Sequence, residues 1–241
     1  MPGGSNQTLR PFLWRSERLY PDTEIVSRTG TGIERYDYAT YGERARQLAD
    51  SLTGAGIDTG DRIGTFCWNH HRHFETYFGV PCMGAQLHTI NPLLPDEHIQ
   101  YIVENANDRI LFVDPSLLDK LASAYDPDSF SSVDQVVVMA EAVPDTPIDP
   151  VTDYESFIAN GSADFEWPEI DEELPAGMCY TSGTTGRPKG VEYTHQMLWS
   201  HTLGELTPMG LDIDDSDVVM PVVPMFHANA WGIPVATSAA G

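Results

Sequence analysis

Short apolar runs alternate with helical stretches along most of this chain, and no other feature constrains its fold as strongly. The runs "RIGTFCW", "AQLHTI", "RILFV" and "QVVVM" are largely apolar and have the length of strands. Between them, apolar residues recur at helical spacing over residues 42–54, 71–83, 95–106 and 115–125. Strands that are buried on both faces and separated by helices are typical of a parallel sheet. We therefore predict an α/β fold with largely parallel sheets covered by helices.

The two ends of the chain and its middle carry other patterns. Residues 1–20 are predicted to form an N-terminal tail, and residues 140–174, rich in Pro, Asp and Glu, a surface segment with one short helix. "GMCYTS", "VEYTH" and "DVVMPVVP" are predicted strands, and residues 196–206 a helix. The uncharged stretch 218–241 is expected to be buried. It contains three prolines, so we predict no stable membrane insertion.

The segment "YTSGTTGRPKG", residues 180–190, lies between two predicted strands and is suited to bind an anion. Its glycines permit positive φ, which lets several backbone N–H groups converge on one phosphate. Its hydroxyls add donors, and its lysine, one of only two in the chain, adds a cation. The candidate phosphate-binding residues are Thr181, Ser182, Gly183, Thr184, Thr185, Gly186 and Lys189. Thr185 is also the candidate Mg²⁺ contact.

Two other interpretations of this segment explain its residues less well. A polar hairpin loop would favour the same small residues, but it explains neither Lys189 nor the density of hydroxyls. A P-loop requires a lysine followed by Ser or Thr at the start of a helix. Here Gly190 follows Lys189, and strand-forming residues come next. The spacing excludes a P-loop.

These eleven residues resemble the phosphate-loop signature of the AMP-forming acyl- and aryl-CoA synthetases, a superfamily that includes luciferases and peptide-synthetase adenylation domains. The stretches 36–69 and 77–94 resemble the opening helix–strand units of the same family. The resemblance implies that residues 21–241 are the first part of a large N-terminal AMP-binding domain, incomplete here, with the C-terminal domain absent. We therefore expect a truncated chain, or one whose C-terminal part is encoded separately.

A second segment, "PMFHANAWG" at residues 224–232, resembles the part of the family that places an aromatic residue or a histidine beside the substrate carboxylate. Medium- and long-chain fatty acyl-CoA synthetases carry close variants. The resemblance implies that His227 lies near the carboxylate and the reacting phosphate. It also implies that Trp231, one helical turn later, lines an acyl tunnel with Phe226. The candidate catalytic residues are thus His227 and Lys189. A core histidine among core aromatic residues is the alternative.

The resemblance further implies the reaction. A carboxylic acid, expected to be a medium- or long-chain fatty acid, is activated by ATP and Mg²⁺ to an acyl-adenylate, and coenzyme A then forms the thioester. An aryl-CoA ligase, another adenylate-forming enzyme, and a non-catalytic fragment unable to turn over alone are the alternatives. The expected partners are these small molecules, with a homo-oligomer left open.

Three histidines in "NHHRH", residues 69–73, suggest a metal site, but positions i, i+1 and i+3 do not converge on one side of a helix. We interpret His70, His71 and His73 as surface or helix-start residues, and His195 likewise as a helix-start residue. Cys67, Cys82 and Cys179 are widely spaced and form no C-x-x-C pair. They predict reduced thiols and a cytoplasmic location.

The charge balance is strongly acidic. The chain has 36 Asp and Glu against 13 Lys and Arg, a net charge of −23. No basic patch is available to neutralise the phosphates of a nucleic acid, so we predict that the chain binds none. Such a charge destabilises the compact state through self-repulsion, which concentrated salt screens. We interpret it as adaptation to a salt-rich cytosol.

This interpretation predicts that the melting temperature rises when the salt concentration is raised from millimolar to molar, because screening weakens the repulsion between carboxylates. Thermal unfolding followed by circular dichroism in KCl of increasing concentration measures the effect. A melting temperature that does not respond to salt contradicts the interpretation.

Overall fold

A computed structural model describes residues 7–30, 32–181 and 187–241, and it is built around a seven-stranded sheet. The sheet has the order β7-β6-β5-β3-β4-β8-β9, and a separate antiparallel hairpin is formed by β1 and β2. Within the described residues the strands are β1 Glu24–Arg28, β2 Ile33–Asp37, β3 Arg62–Phe66, β4 Gln86–Thr89, β5 Asp108–Val113, β6 Gln135–Val138, β7 Val151–Asp153, β8 Pro175–Thr181 and β9 Lys189–Thr194.

Helices cover both faces of this sheet. In chain order they are α1 Arg10–Leu19, α2 Tyr38–Gly54, α3 His71–Cys82, α4 Asp96–Ala106, α5 Leu118–Ala124, α6 Tyr154–Ile158, α7 His195–Glu205 and α8 Ile233–Ala240. Alternate residues of each central strand point to opposite faces. Ile110 and Phe112 of β5 pack on the side of α2 and α3, whereas Leu111 and Val113 pack on the side of α4 and α5.

The order of the strands reverses within the sheet. Strands β3 to β8 pair in parallel, and β9 pairs antiparallel with β8. The chain runs from β3 to β4 on one side and then crosses back to β5 on the other side of β3. Such a reversal of strand order places a ligand-binding crevice beyond the carboxyl ends of the strands. The α/β prediction is confirmed, with β9 as the antiparallel exception.

Three sequence expectations are corrected by the structure. Residues 10–19, expected in a tail, form α1, which buries Phe12 and Leu13. The hairpin β1–β2 was not predicted. The strand predicted over "DVVMPVVP" is wrong, because residues 217–224 are neither helix nor strand in the structure.

The segment 217–224 shows why an apolar run is not always a strand. Val218, Met220 and Val222 are 100%, 80% and 81% exposed. Pro221 and Pro224 lack the N–H groups that a ladder needs, and no other described strand pairs with this run. The expectation of burial therefore holds only from Met225 onward, where most side chains are covered.

Two smaller expectations concern burial. Cys67, Cys82 and Cys179 are free and buried, as predicted for reduced thiols. In the described part of the chain, no helix combines the length and the apolar character needed to cross a bilayer.

The segment 140–174 contributes more than a surface helix, since β7 extends the sheet and α6 buries Tyr154, Phe157 and Ile158.

Candidate active site

The described ends of the glycine-rich segment lie at the carboxyl end of β8. Strand β8 ends at Thr181 and β9 begins at Lys189, and these two residues are direct partners in the antiparallel ladder. Both side chains are exposed. The prediction that the segment connects two strands is therefore confirmed. Ser182, Gly183, Thr184, Thr185 and Gly186 lie outside the described residues, so their phosphate and Mg²⁺ roles stay predictions.

Lys189 differs from the other lysine in its surroundings. Lys120 forms an ion pair with Asp96. Lys189 forms no ion pair with any residue of the described ranges, and its ammonium group is exposed at the edge where the strands end. A lysine that has no ion-pair partner among the described residues is available to pair with an anionic ligand.

The second predicted segment is held against the end of β3 by Asn69. The Asn69 side-chain amide donates to the carbonyl oxygens of Pro221 and Val223, at 3.0 Å each. Its Oδ1 accepts from the Met225 backbone N–H at 2.6 Å. From α3, the hydroxyl of Tyr77 donates to the Met225 carbonyl at 2.6 Å. Asn69 and Tyr77 thus position the stretch that leads to His227.

The three predicted substrate-binding residues have different surroundings. Phe226 is buried and its ring lies edge-on to Trp68, with a centroid distance of 5.6 Å. His227 is exposed, and its imidazole makes no hydrogen bond within the described part of the chain. Trp231 is 59% exposed. The alternative of a core histidine is wrong, because His227 is not in the core.

The backbone after His227 is not the right-handed helical turn that the sequence suggested. Ala228, Asn229, Ala230 and Trp231 have φ between 46° and 55°, in the left-handed region. Each non-glycine residue there costs roughly 1–2 kcal/mol relative to the right-handed form. The relative placement of His227 and Trp231 therefore comes from a left-handed turn.

Contacts of this turn connect it to β8, the strand that leads into the glycine-rich segment. The buried Asn229 accepts a hydrogen bond from the Thr89 hydroxyl at the end of β4, at 3.4 Å. A Cβ at Gly177 would lie 3.4 Å from the Asn229 side-chain nitrogen. The segment 180–190 thus begins on β8, and the turn within the segment 224–232 packs against the same strand.

The histidine cluster is structural. His70 caps α3 by accepting from the His73 backbone N–H, so the helix-start interpretation is confirmed. The surface interpretation is wrong for His71 and His73, which are buried, and burial lowers the pKa of each to about 4. His195 begins α7 and accepts from the Leu9 N–H. Among the described residues no group of three or more His, Cys, Asp or Glu could hold a metal ion.

The sequence alone indicates no role for Trp68 and Asn69, although both contact the 221–226 stretch in the structure. The available signal was their position, directly after β3 in a predicted parallel sheet, where ligand-contacting residues concentrate. Their partners in the 221–226 stretch follow them by more than 150 residues along the chain, as in the Asn69–Pro221 contact. The pattern around Asn69 does not reveal those partners.

The sequence of the chain is similar to those of known CoA ligases. Over 227 residues the chain is 42% identical to the 3-methylmercaptopropionyl-CoA ligase of Ruegeria pomeroyi, covering 93% of this chain and 42% of that ligase. It is 41% identical over 234 residues to the long-chain-fatty-acid–CoA ligase of Thermus thermophilus, covering 95% of this chain and 41% of that one. The chain thus spans less than half the length of these curated relatives.

The fold agrees as well. An anthranilate CoA ligase solved in complex with anthranoyl-AMP superposes with a TM-score of 0.84 at 20% identity, over 99% of this chain and 44% of that one. The family model described as "AMP-binding enzyme" matches residues 13–241. By this match over nearly its whole length, the chain belongs to the AMP-binding enzyme family.

Proposed function

We propose that this chain supplies the ATP and carboxylate contacts of an AMP-forming acyl-CoA ligase that activates a medium- or long-chain fatty acid. The observation that carries the proposal is that the segment 180–190 extends from β8 while the turn within the segment 224–232 packs against the same strand. Strand β8 ends at Thr181 beside Lys189, and a Cβ at its residue Gly177 would lie 3.4 Å from the side chain of Asn229, in the turn that follows His227. A phosphate-binding segment and an acid-binding segment on one strand suit a reaction between ATP and a carboxylate.

In the proposed reaction a carboxylate oxygen bonds to the α-phosphorus of Mg·ATP while the bond to pyrophosphate breaks. The thiol of coenzyme A then attacks the acyl carbon, the thioester forms and AMP leaves. The first step needs positioning and charge neutralisation more than covalent help from the protein. Lys189 would pair with the phosphates, and Thr181 and the segment that follows it would donate hydrogen bonds to them.

The acid would lie beside the 224–232 segment. The imidazole of His227 has no partner within the described residues, so it is free to donate to a carboxylate. Phe226, Trp68 and Trp231 offer apolar surface for the acyl chain. Each buried CH₂ contributes about 0.8 kcal/mol, so an eight-carbon tail would contribute about 6 kcal/mol before its ordering cost.

A short thioether acid is the second candidate substrate. It is favoured by the 42% identity to a relative named for 3-methylmercaptopropionate, a shorter and more polar acid than a long-chain fatty acid. Acids of graded length, with and without a thioether, separate the two candidates when acid-dependent adenylate formation is measured. A preference that grows with chain length supports the fatty acid.

Lys189→Ala tests the proposed nucleotide contact. Loss of a charge-assisted contact to phosphate is expected to weaken Mg·ATP binding by about 10- to 100-fold. Isothermal titration calorimetry measures the dissociation constant. Lys120→Ala is the matched control, because it removes the other lysine, which is paired with Asp96, and should leave the affinity unchanged. Equal effects of the two variants, or a wild-type chain that binds no Mg·ATP, contradict the proposal.

A further inference from the structure

Helix α4 contacts both described ends of the candidate phosphate-binding segment. Its residues Tyr101 and Asn105 lie one turn apart on the same side of the helix. The Tyr180 hydroxyl, just before Thr181, donates to Asn105 Oδ1 at 2.8 Å. The guanidinium of Arg187 lies over the Tyr101 ring, 5.0 Å from its centroid. The segment therefore starts beside Asn105 and ends beside Tyr101.

The Tyr180 ring is fixed on two further sides. Its ladder partner across the hairpin is Gly190, where a Cβ would lie only 3.2 Å from Tyr180 Cζ. The ring thus covers the glycine, and a larger residue would displace it. Burial raises the Tyr180 pKa to about 12, so the phenol stays protonated and keeps donating to Asn105.

The other support of Tyr180 is His88, whose ring centroid is 5.2 Å away. His88 is fully buried and its Nδ1 lies 2.9 Å from Asp108 Oδ2, which is fully buried too. The two residues belong to β4 and β5, and they meet across β3 at Gly64, where a Cβ would lie 3.2 Å from the same carboxylate oxygen. The buried Asp108 carboxylate fixes the orientation of the ring on which Tyr180 packs.

We propose that Tyr101 and Asn105 are positioning residues that hold the Thr181–Lys189 end of the β8–β9 ladder in place for an anionic ligand that pairs with Lys189. Thr181 and Lys189 form the last pair of the β8–β9 ladder and are exposed, so without external contacts this end would fray. Holding a site in its bound geometry lowers the ordering cost of binding. The identification of the ligand as Mg·ATP rests on the proposed function, whereas the fixing of the ladder end does not.

Asn105→Leu and Tyr101→Leu test the proposal. Each removes one contact, and each is expected to weaken Mg·ATP binding about threefold to tenfold, as for one hydrogen bond or one cation–π contact. Hydrogen exchange is expected to become about tenfold faster at residues 180–181 and 189–190 and to stay unchanged at the opposite end of the ladder, residues 176–177 and 193–194. Calorimetry and exchange mass spectrometry of the whole chain give the two readouts.

Gln100→Leu is the matched control, because it removes an amide from the same helix whose hydrogen bond goes to the Ala124 carbonyl instead. It should change neither readout. The proposal is overturned if exchange at residues 180–181 and 189–190 is unaffected, or if it rises equally at both ends of the ladder, as general destabilisation would cause. Faster exchange at the Thr181 end in a protein that binds no Mg·ATP even as wild type upholds the positioning role and refutes the nucleotide assignment.

Discussion

Lowering the pH from 7 to 5 is expected to reduce the free energy of unfolding by about 2 kcal/mol for each of three buried histidines. Burial lowers the pKa of His71, His73 and His195 to about 4, from an ordinary value of 6.5. The neutral forms are held by local contacts. For example, the two His73 ring nitrogens lie 3.0 Å from the Trp68 carbonyl and 3.1 Å from the Thr65 hydroxyl.

The sign follows from proton binding. Between pH 6.5 and 4 the unfolded chain binds these protons and the folded chain does not, so stability is present above pH 6.5 and is lost as the pH falls toward 4. Urea denaturation at a series of pH values measures the slope, to which these three rings should contribute the uptake of about three protons on unfolding near pH 5. His70, whose pKa is also lowered by burial, adds to this uptake.

His195→Gln provides the control for this slope. Glutamine keeps an acceptor for the Leu9 N–H but does not titrate, so about a third of the pH dependence that these three rings contribute should disappear. A stability that is flat from pH 7 to pH 5 would show that these rings are protonated in the folded protein.

Glu75→Gln is expected to destabilise the fold by about 3 kcal/mol, because it breaks a buried ionic network by removing one charge. Glu75 is fully buried on α3. Its carboxylate accepts from the Arg44 Nε at 2.8 Å, the Tyr36 hydroxyl at 3.0 Å and the Tyr154 hydroxyl at 2.7 Å. The pKa of each tyrosine is raised, by burial first and by the Glu75 charge second, so both phenols remain donors.

The network joins four elements of the fold. The same Arg44 on α2 forms a bidentate ion pair with Glu155 on α6, with N–O distances of 2.9 and 3.0 Å. A glutamine at position 75 has the shape of the carboxylate but presents N–H groups to donors, so at least one buried donor loses its acceptor.

Urea denaturation followed by tryptophan fluorescence measures the change in unfolding free energy. Glu24→Gln is the control, since Glu24 pairs with Arg35 at 2.5 Å at a site where both side chains are about half exposed. Its removal should cost less than about 1 kcal/mol. If the two variants lose equal stability, the buried network does not stabilise the fold as argued.

The candidate site was predictable in part. The segment 180–190 was predictable from residue types and spacing, and its placement between two strands is confirmed. The segment 224–232 was predictable only through its resemblance to a known family. The helical turn from His227 to Trp231 was wrong, because the usual periodicity assumes a right-handed backbone and this turn is left-handed. The strand prediction for 217–224 was wrong, because an apolar run predicts a strand whether or not a neighbouring strand is present to pair with it.

What the sequence determined by itself is the set of local elements and the two candidate segments. Periodicity and residue type act over some five to fifteen residues, which is the length of a strand or a helix. Tertiary structure decided which of these elements meet. His88 meets Asp108 because β3 lies between β4 and β5 and has Gly64 at the crossing point. Asn69 reaches Pro221 across 152 residues of sequence. Contacts of this kind depend on the order of the strands, which no local pattern encodes.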